Sequence, residues 1–126
     1  LPWVDIGEKD MANTFKVVTK AGVTSADVIY TAGSVDATIV LGLMLGNTTT
    51  SQVTATVSLG SDTSARAGAN NEANQTVELV TNAPIPAGSS LELLAGNKVV
   101  LEDTDTISLT ASGATDIALS IMEITS

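Results

Sequence analysis

Histidine and cysteine are both missing from this chain of 126 residues. Thiol chemistry and imidazole acid–base chemistry are therefore excluded, and no disulfide can staple the fold. Stability must come from packing or from assembly with other copies, and cysteine usage says nothing of redox compartment. Aromatic residues are almost as scarce, with one Trp, one Tyr and one Phe. A sugar-binding cleft needs faces on which rings stack, so paired carboxylates have no platform here for glycoside hydrolysis. Nowhere do a nucleophile, a base and an orienting group converge, and neither catalysis nor a cofactor is expected. Positive charge is also short: 5 Lys and Arg stand against 14 Asp and Glu, a net charge of −9. Such a surface repels phosphate backbones and anionic lipids, which argues against nucleic acid or a membrane as partner. The longest apolar run, 38–46, contains two glycines and falls far short of the roughly 20 residues a spanning helix needs.

What remains is aliphatic and rhythmic. Hydrophobic residues make up 44% of the chain, mostly Val, Ile, Leu and Ala, which suit pleated surfaces. Val53, Ala55, Val57 and Leu59 alternate with Thr54, Thr56 and Ser58, the pattern of a half-buried strand. The same rule places Val77 and Leu79 about Glu78, Leu91 and Leu93 about Glu92, and Ile107 and Leu109 about Ser108. Segment 37–45 is apolar in both phases, with Ile39, Leu41, Leu43 and Leu45 against Val40, Gly42 and Met44, so it belongs at the centre of a sheet or against a second subunit. Segment 116–124 behaves similarly; its Ile and Thr content and the preceding Ser112-Gly113-Ala114 turn favour a strand over a helix.

Strands are predicted at 15–20, 26–31, 37–45, 52–59, 76–80, 90–94, 98–101, 106–111 and 116–124. Short, regularly spaced strands with Gly, Pro and Asn turns specify an all-β fold, a two-layer antiparallel β-sandwich of jelly-roll or immunoglobulin-like topology. Its edge strands would be natural sites of assembly. One domain is expected over 14–126, preceded by an extended N-terminal arm over 1–13. Met11-Ala12-Asn13 reads as an ordinary start and 1–10 does not read as a secretory signal, which leaves an upstream extension, a fusion remnant or a proteolytically exposed arm as its alternatives.

Several residues invite a functional reading. Glu102, Asp103 and Asp105 share one turn and could offer oxygen ligands to Ca²⁺, but no EF-hand spacing or distant ligand accompanies them, and a solvated hairpin turn is the simpler reading. Gly88 and Gly96 sit in turns with no following helix, so they are not phosphate cradles. Asn47 and Asn74 begin glycosylation sequons that matter only in a eukaryotic secretory host. In the arm, Pro2, Trp3, Val4 and Ile6 form an apolar cluster outside the periodic core and are candidate partner contacts; covering an edge of its own subunit is the competing role for Trp3. The segment 60–74, small and polar, reads as a surface loop carrying Arg66, the sole arginine and a further candidate contact.

The phrases at 11–16, 39–47, 82–91 (Asn82-Ala83-Pro84-Ile85-Pro86-Ala87-Gly88-Ser89-Ser90-Leu91) and 96–102 (Gly96-Asn97-Lys98-Val99-Val100-Leu101-Glu102), with the ending Ile121-Met122-Glu123-Ile124-Thr125, carry a resemblance over 11–126. The chain resembles small virion structural proteins of tailed phages, especially cyanophages of marine hosts. That resemblance implies a nonenzymatic structural protein of the virion, assembled in the bacterial host cytoplasm: a capsid decoration or cement protein bound noncovalently to the major capsid protein or other virion proteins, as a homo-oligomer. A neck or tail accessory is the alternative within that class. A receptor- or glycan-binding tip domain, contacting through 60–74, is the alternative outside it.

Overall fold

The structure is a computed structural model that describes residues 12–33, 35–61, 74–94 and 97–125. These form nine strands: β1 Ala12–Val23, β2 Ala26–Thr31, β3 Ala37–Asn47, β4 Val53–Gly60, β5 Val77–Ile85, β6 Ser90–Glu92, β7 Val99–Leu101, β8 Thr106–Ala111 and β9 Thr115–Thr125. Every predicted strand is present. The first begins at Ala12, so Ala12 and Asn13 belong to β1 rather than to the arm. None of the described residues forms a helix long and apolar enough to cross a membrane.

The strands make two antiparallel sheets. The front sheet has the order β1-β9-β3-β6, with β7 also on β3, and the back sheet has the order β2-β8-β4-β5. Only β4 and β5 are both consecutive in sequence and paired; apart from β6 and β7, which both lie on β3, the chain elsewhere crosses between sheets from one strand to the next. An immunoglobulin-like sandwich would keep several hairpin-linked strands side by side, so the connectivity is that of a jelly roll. Its winding also places the domain's two ends together, because Ala12 pairs with Thr125.

The inner faces meet in an aliphatic core. Val40, Leu43 and Leu45 of β3 and Leu119 and Ile121 of β9 pack toward Val57 of β4 and Ile107 and Leu109 of β8, all at 2% exposure or less. Burying each such Leu or Ile stabilises the fold by roughly 1.5–3 kcal/mol. β3 and β9 lie between neighbours on both sides, as their doubly apolar sequences require.

Facing is less regular than strict alternation. A bulge between Val40 and Gly42 leaves Leu41 without a partner on β9. Before it Thr38 and Val40 point inward; after it Leu43 and Leu45 do. The extra residue switches the buried phase of β3 from even to odd positions. Bulges in the β4–β5 ladder act similarly; Val77, opposite Leu59 on the inner side, is nonetheless 51% exposed because β5 is an edge strand.

Two turns depend on glycine. Gly88 adopts φ +70° after Pro86 and Ala87, and Ser89 N–H closes the bend by donating to the Pro86 carbonyl at 3.0 Å. Gly113, between β8 and β9, lies so close to Val53 that a Cβ there would fall 2.8 Å from Val53 Cγ1.

Candidate assembly surface

The residues singled out in the sequence divide into those the structure describes and those it does not. Pro2, Trp3, Val4 and Ile6, with the rest of 1–11, lie outside the described residues, as do Arg66 and the rest of 62–73. The acidic turn is described. Asp105 is buried at 3% exposure, and its carboxylate accepts the Glu102 N–H at 2.9 Å while its own N–H donates to the Glu102 carbonyl at 3.0 Å. That reciprocal pair gives the turn a structural task. Among the described residues no three acidic groups cluster to hold a metal ion.

Asn47 is also committed to the fold. Its amide nitrogen donates to the carbonyls of Ser51 at 2.7 Å and Ile85 at 2.9 Å, and its oxygen accepts from the Thr49 N–H and hydroxyl, both at 2.8 Å. With the side chain buried and the amide hydrogens engaged, the sequon at Asn47 is closed to glycosylation in the folded protein.

The two outer faces of the sandwich differ sharply in chemistry. Paired residues in an antiparallel ladder share a face, so the registers define each surface row by row. On the back sheet, the outward positions of β4 and β8 are Thr54, Thr56, Ser58, Thr106, Ser108 and Thr110, with Thr56 opposite Thr110 and Ser58 opposite Ser108. The Thr56 hydroxyl accepts the Asn82 N–H at 2.9 Å.

On the front sheet one outward row is wholly apolar, and the others mix apolar and small residues with Asn13, Thr19, Ser120 and Glu92. Phe15 pairs with Met122, Met122 with Ile39 and Ile39 with Val100, which makes one continuous hydrophobic row across β1, β9, β3 and β7. Phe15 is 69% exposed and Val17 63% exposed. The next row, Val17–Ser120–Gly42, falls away from a ridge on β1 into a low trough, and nothing would meet a Cβ added at Gly42 or Gly46 within 4 Å. Toward one end the trough deepens into a depression of about 320 Å³ whose lining mixes Ala21, Met44 and Ala118 with Thr19, Lys20 and Asp116. Among the outward, paired positions of β1, β9 and β3, only Asp116 is charged, at the margin of the face and accepting the Gly22 N–H at 2.8 Å.

Electrostatics are concentrated instead at the seam between β1 and β2. Lys16 and Lys20 pair with Ile121 and Ile117 of β9, which are buried, so both lysines point to the inner side of the edge strand. Lys20 forms an ion pair with Asp27 of β2 at 2.5 Å, and Lys16 with Glu123 at 2.7 Å. Glu123 also accepts the Tyr30 hydroxyl at 2.7 Å. The Lys16 ammonium, then the Tyr30 hydrogen bond, hold the Glu123 carboxyl below its ordinary pKa. Burial pushes the Tyr30 phenol up; its hydrogen bond with Thr38 opposes that shift, and the contact with Glu123 adds to it.

Fold and surface together define a jelly-roll sandwich with hydroxyl rows along the outer side of β4 and β8 and an apolar row across the front. No protein-family model matches the chain, and no curated protein does. Among solved structures it is similar to a chain of the Bacillus endospore appendages, a family of disulfide-linked pili, at 19% identity and a TM-score of 0.48, with 95% of this chain and 93% of that one covered. The disulfides of those pili have no counterpart in this cysteine-free sequence. It is also similar to a chain of the infectious bursal disease virus Gt strain, at 14% identity and a TM-score of 0.19, covering 94% of this chain and 38% of that one.

Proposed function

We propose that the protein is a nonenzymatic structural subunit of a tailed-phage particle, acting as a decoration or cement protein that reinforces the capsid by noncovalent contacts. The resemblance of its strand and turn phrases to small virion proteins supports this reading. The single structural observation that carries it is the apolar row Phe15–Met122–Ile39–Val100 on one outer face of an acidic molecule. A contiguous exposed hydrophobic surface rimmed by polar residues marks a contact site. Repeated at many symmetry-related positions on a shell, even modest contacts combine through multivalency. The major capsid protein is the partner this reading requires.

The test is localisation in purified particles by cryo-electron microscopy with quantitative mass spectrometry. A decoration protein is expected in hundreds of copies spread over the head. A count in small multiples of six near the portal vertex would assign the neck or tail instead, and absence from washed particles would end the structural reading.

A further inference from the structure

We propose that the apolar front face is closed by the same face of a second copy of this chain, forming a two-fold dimer whose two front sheets stack. The inference rests on reading that face as an assembly surface; it gives the face to a second copy, so that the capsid is met by the remaining surface of the dimer.

Area is the first argument. β1, β9 and β3 are eleven or twelve residues long and the three-residue β6 and β7 flank β3; at about 4.8 Å between strands and about 3.3 Å per residue this is a footprint of roughly 600 Å². A standard stable interface buries about 800 Å² on each partner, so the face supplies most of the area that a dimer needs.

Self-complementarity is the second. A two-fold axis running along β9 sets β1 of each copy over β3 of the other. Val17, Ser120 and Gly42 occupy one row, so this operation lays the Val17 ridge of one copy over the Gly42 trough of the other, twice. The row Phe15–Met122–Ile39 falls on its own counterpart in the same way. A knob and a hole at equal height on strands flanking the axis is what an isologous contact requires.

Charge is the third. Two molecules of net charge −9 repel, and association is least costly through a surface that carries almost no charge. The front face carries two charged residues at its paired positions, Asp116 on β9 and Glu92 on β6, both toward the same end; about an axis along β9 Asp116 meets its own copy there, so the contact is centred on the Phe15–Met122–Ile39 and Val17–Ser120–Gly42 rows, which carry no charge. The edge of β1 does not offer a better route, because inward-pointing lysines on an edge strand disfavour addition of another strand. Antiparallel addition of β1 to β1 about either Val18 or Lys16 would bring lysine opposite lysine. Stacking of faces is therefore favoured over joining of edges.

The test is sedimentation equilibrium of the full chain, with circular dichroism to establish that each variant is folded. The wild type is expected to sediment at twice the chain mass at micromolar concentration. Val17→Glu and, independently, Met44→Glu should weaken the dimer at least tenfold with unchanged spectra, because both side chains already contact solvent in the single copy. Thr110→Glu, on the outer side of β8, should leave dimerisation intact. A wild type that is monomeric at all concentrations, or a dimer indifferent to both front-face variants, overturns the proposal. Loss of association on deleting residues 1–10 while Val17→Glu and Met44→Glu associate normally would assign the contact to the N-terminal segment and likewise overturn it. A monomer still found in abundance on phage heads sinks the dimer and keeps the decoration reading; a dimer absent from particles does the reverse.

Discussion

Tyr30 and Glu123 join the two sheets across one end of the sandwich: the phenol on β2 donates to the carboxylate on β9 at 2.7 Å, and the same hydroxyl lies 2.8 Å from the fully buried Thr38 on β3. One aromatic side chain thus spans three strands. Replacing Tyr30 with Phe keeps the ring and deletes both bonds, which leaves the Thr38 hydroxyl buried without that partner. The expected loss is about 1–3 kcal/mol, read as a lower urea midpoint at unchanged m-value.

The same junction sets a response to acid. A carboxyl whose folded pKa is depressed stabilises the fold above its unfolded value, about 4.3 for Glu, and ceases to do so as pH falls through the lower folded value. Glu123, held down first by Lys16 and then by Tyr30, is such a group. Unfolding midpoints should therefore drop below about pH 4, and the drop should be shallower in Glu123→Gln. An identical slope in the two proteins counts against the assignment. At the alkaline end, the raised Tyr30 pKa means that the folded state keeps its proton longer than the unfolded chain. Stability from this group is full below about pH 10 and declines above it.

Core facing is tested at Val57 and Leu109, both at 0% exposure. Val57→Asp or Leu109→Asp should cost several kcal/mol, on the order of 3–5, through an unpaired charge in an aliphatic layer. Thr56→Ser, which preserves the hydroxyl that accepts the Asn82 N–H at 2.9 Å, should change the thermal midpoint little. Comparable effects at all three positions would contradict the inner and outer assignments.

Asn47→Ala removes four hydrogen bonds at once. With the Ile85 carbonyl left buried, a cost of about 2–4 kcal/mol is expected. Amide exchange should quicken at the Thr49 N–H before it quickens in the ladder between β3 and β9, because that N–H loses its acceptor directly.

The sequence was most legible where alternation was clean. β4 and β8 have their buried phases as read, since each presents aliphatic residues at every second position against Thr or Ser; β9, apolar in both phases, was legible as a central strand only. β3 was legible as central but not in its facing: both phases are apolar, so hydropathy carries no record of the bulge at Leu41. β1 was the most misleading. Its apolar pair Phe15 and Val17 resembles a core-facing phase, yet these residues point outward while Lys16, Val18 and Lys20 share the inner side. What decides the matter is pairing with β9 and the carboxylates of Glu123 and Asp27, which lie distant in sequence. The apolar front face was invisible for the same reason, because its most exposed members look like core. Attention fell instead on Trp3 and its neighbours, which lie outside the described residues.

The adjacency of Ala12 and Thr125 gives the molecule a pole. β3 runs the length of the front sheet from Ala37, opposite Ile124, to Asn47, opposite Thr115, so the 48–52 loop sits at the antipode. Segments joined to the domain at Ala12 and at Thr125 therefore leave it from the same end. A permuted chain, with a short bridge from Thr125 back to Ala12 and new ends cut into 48–52, would move that exit to the opposite end.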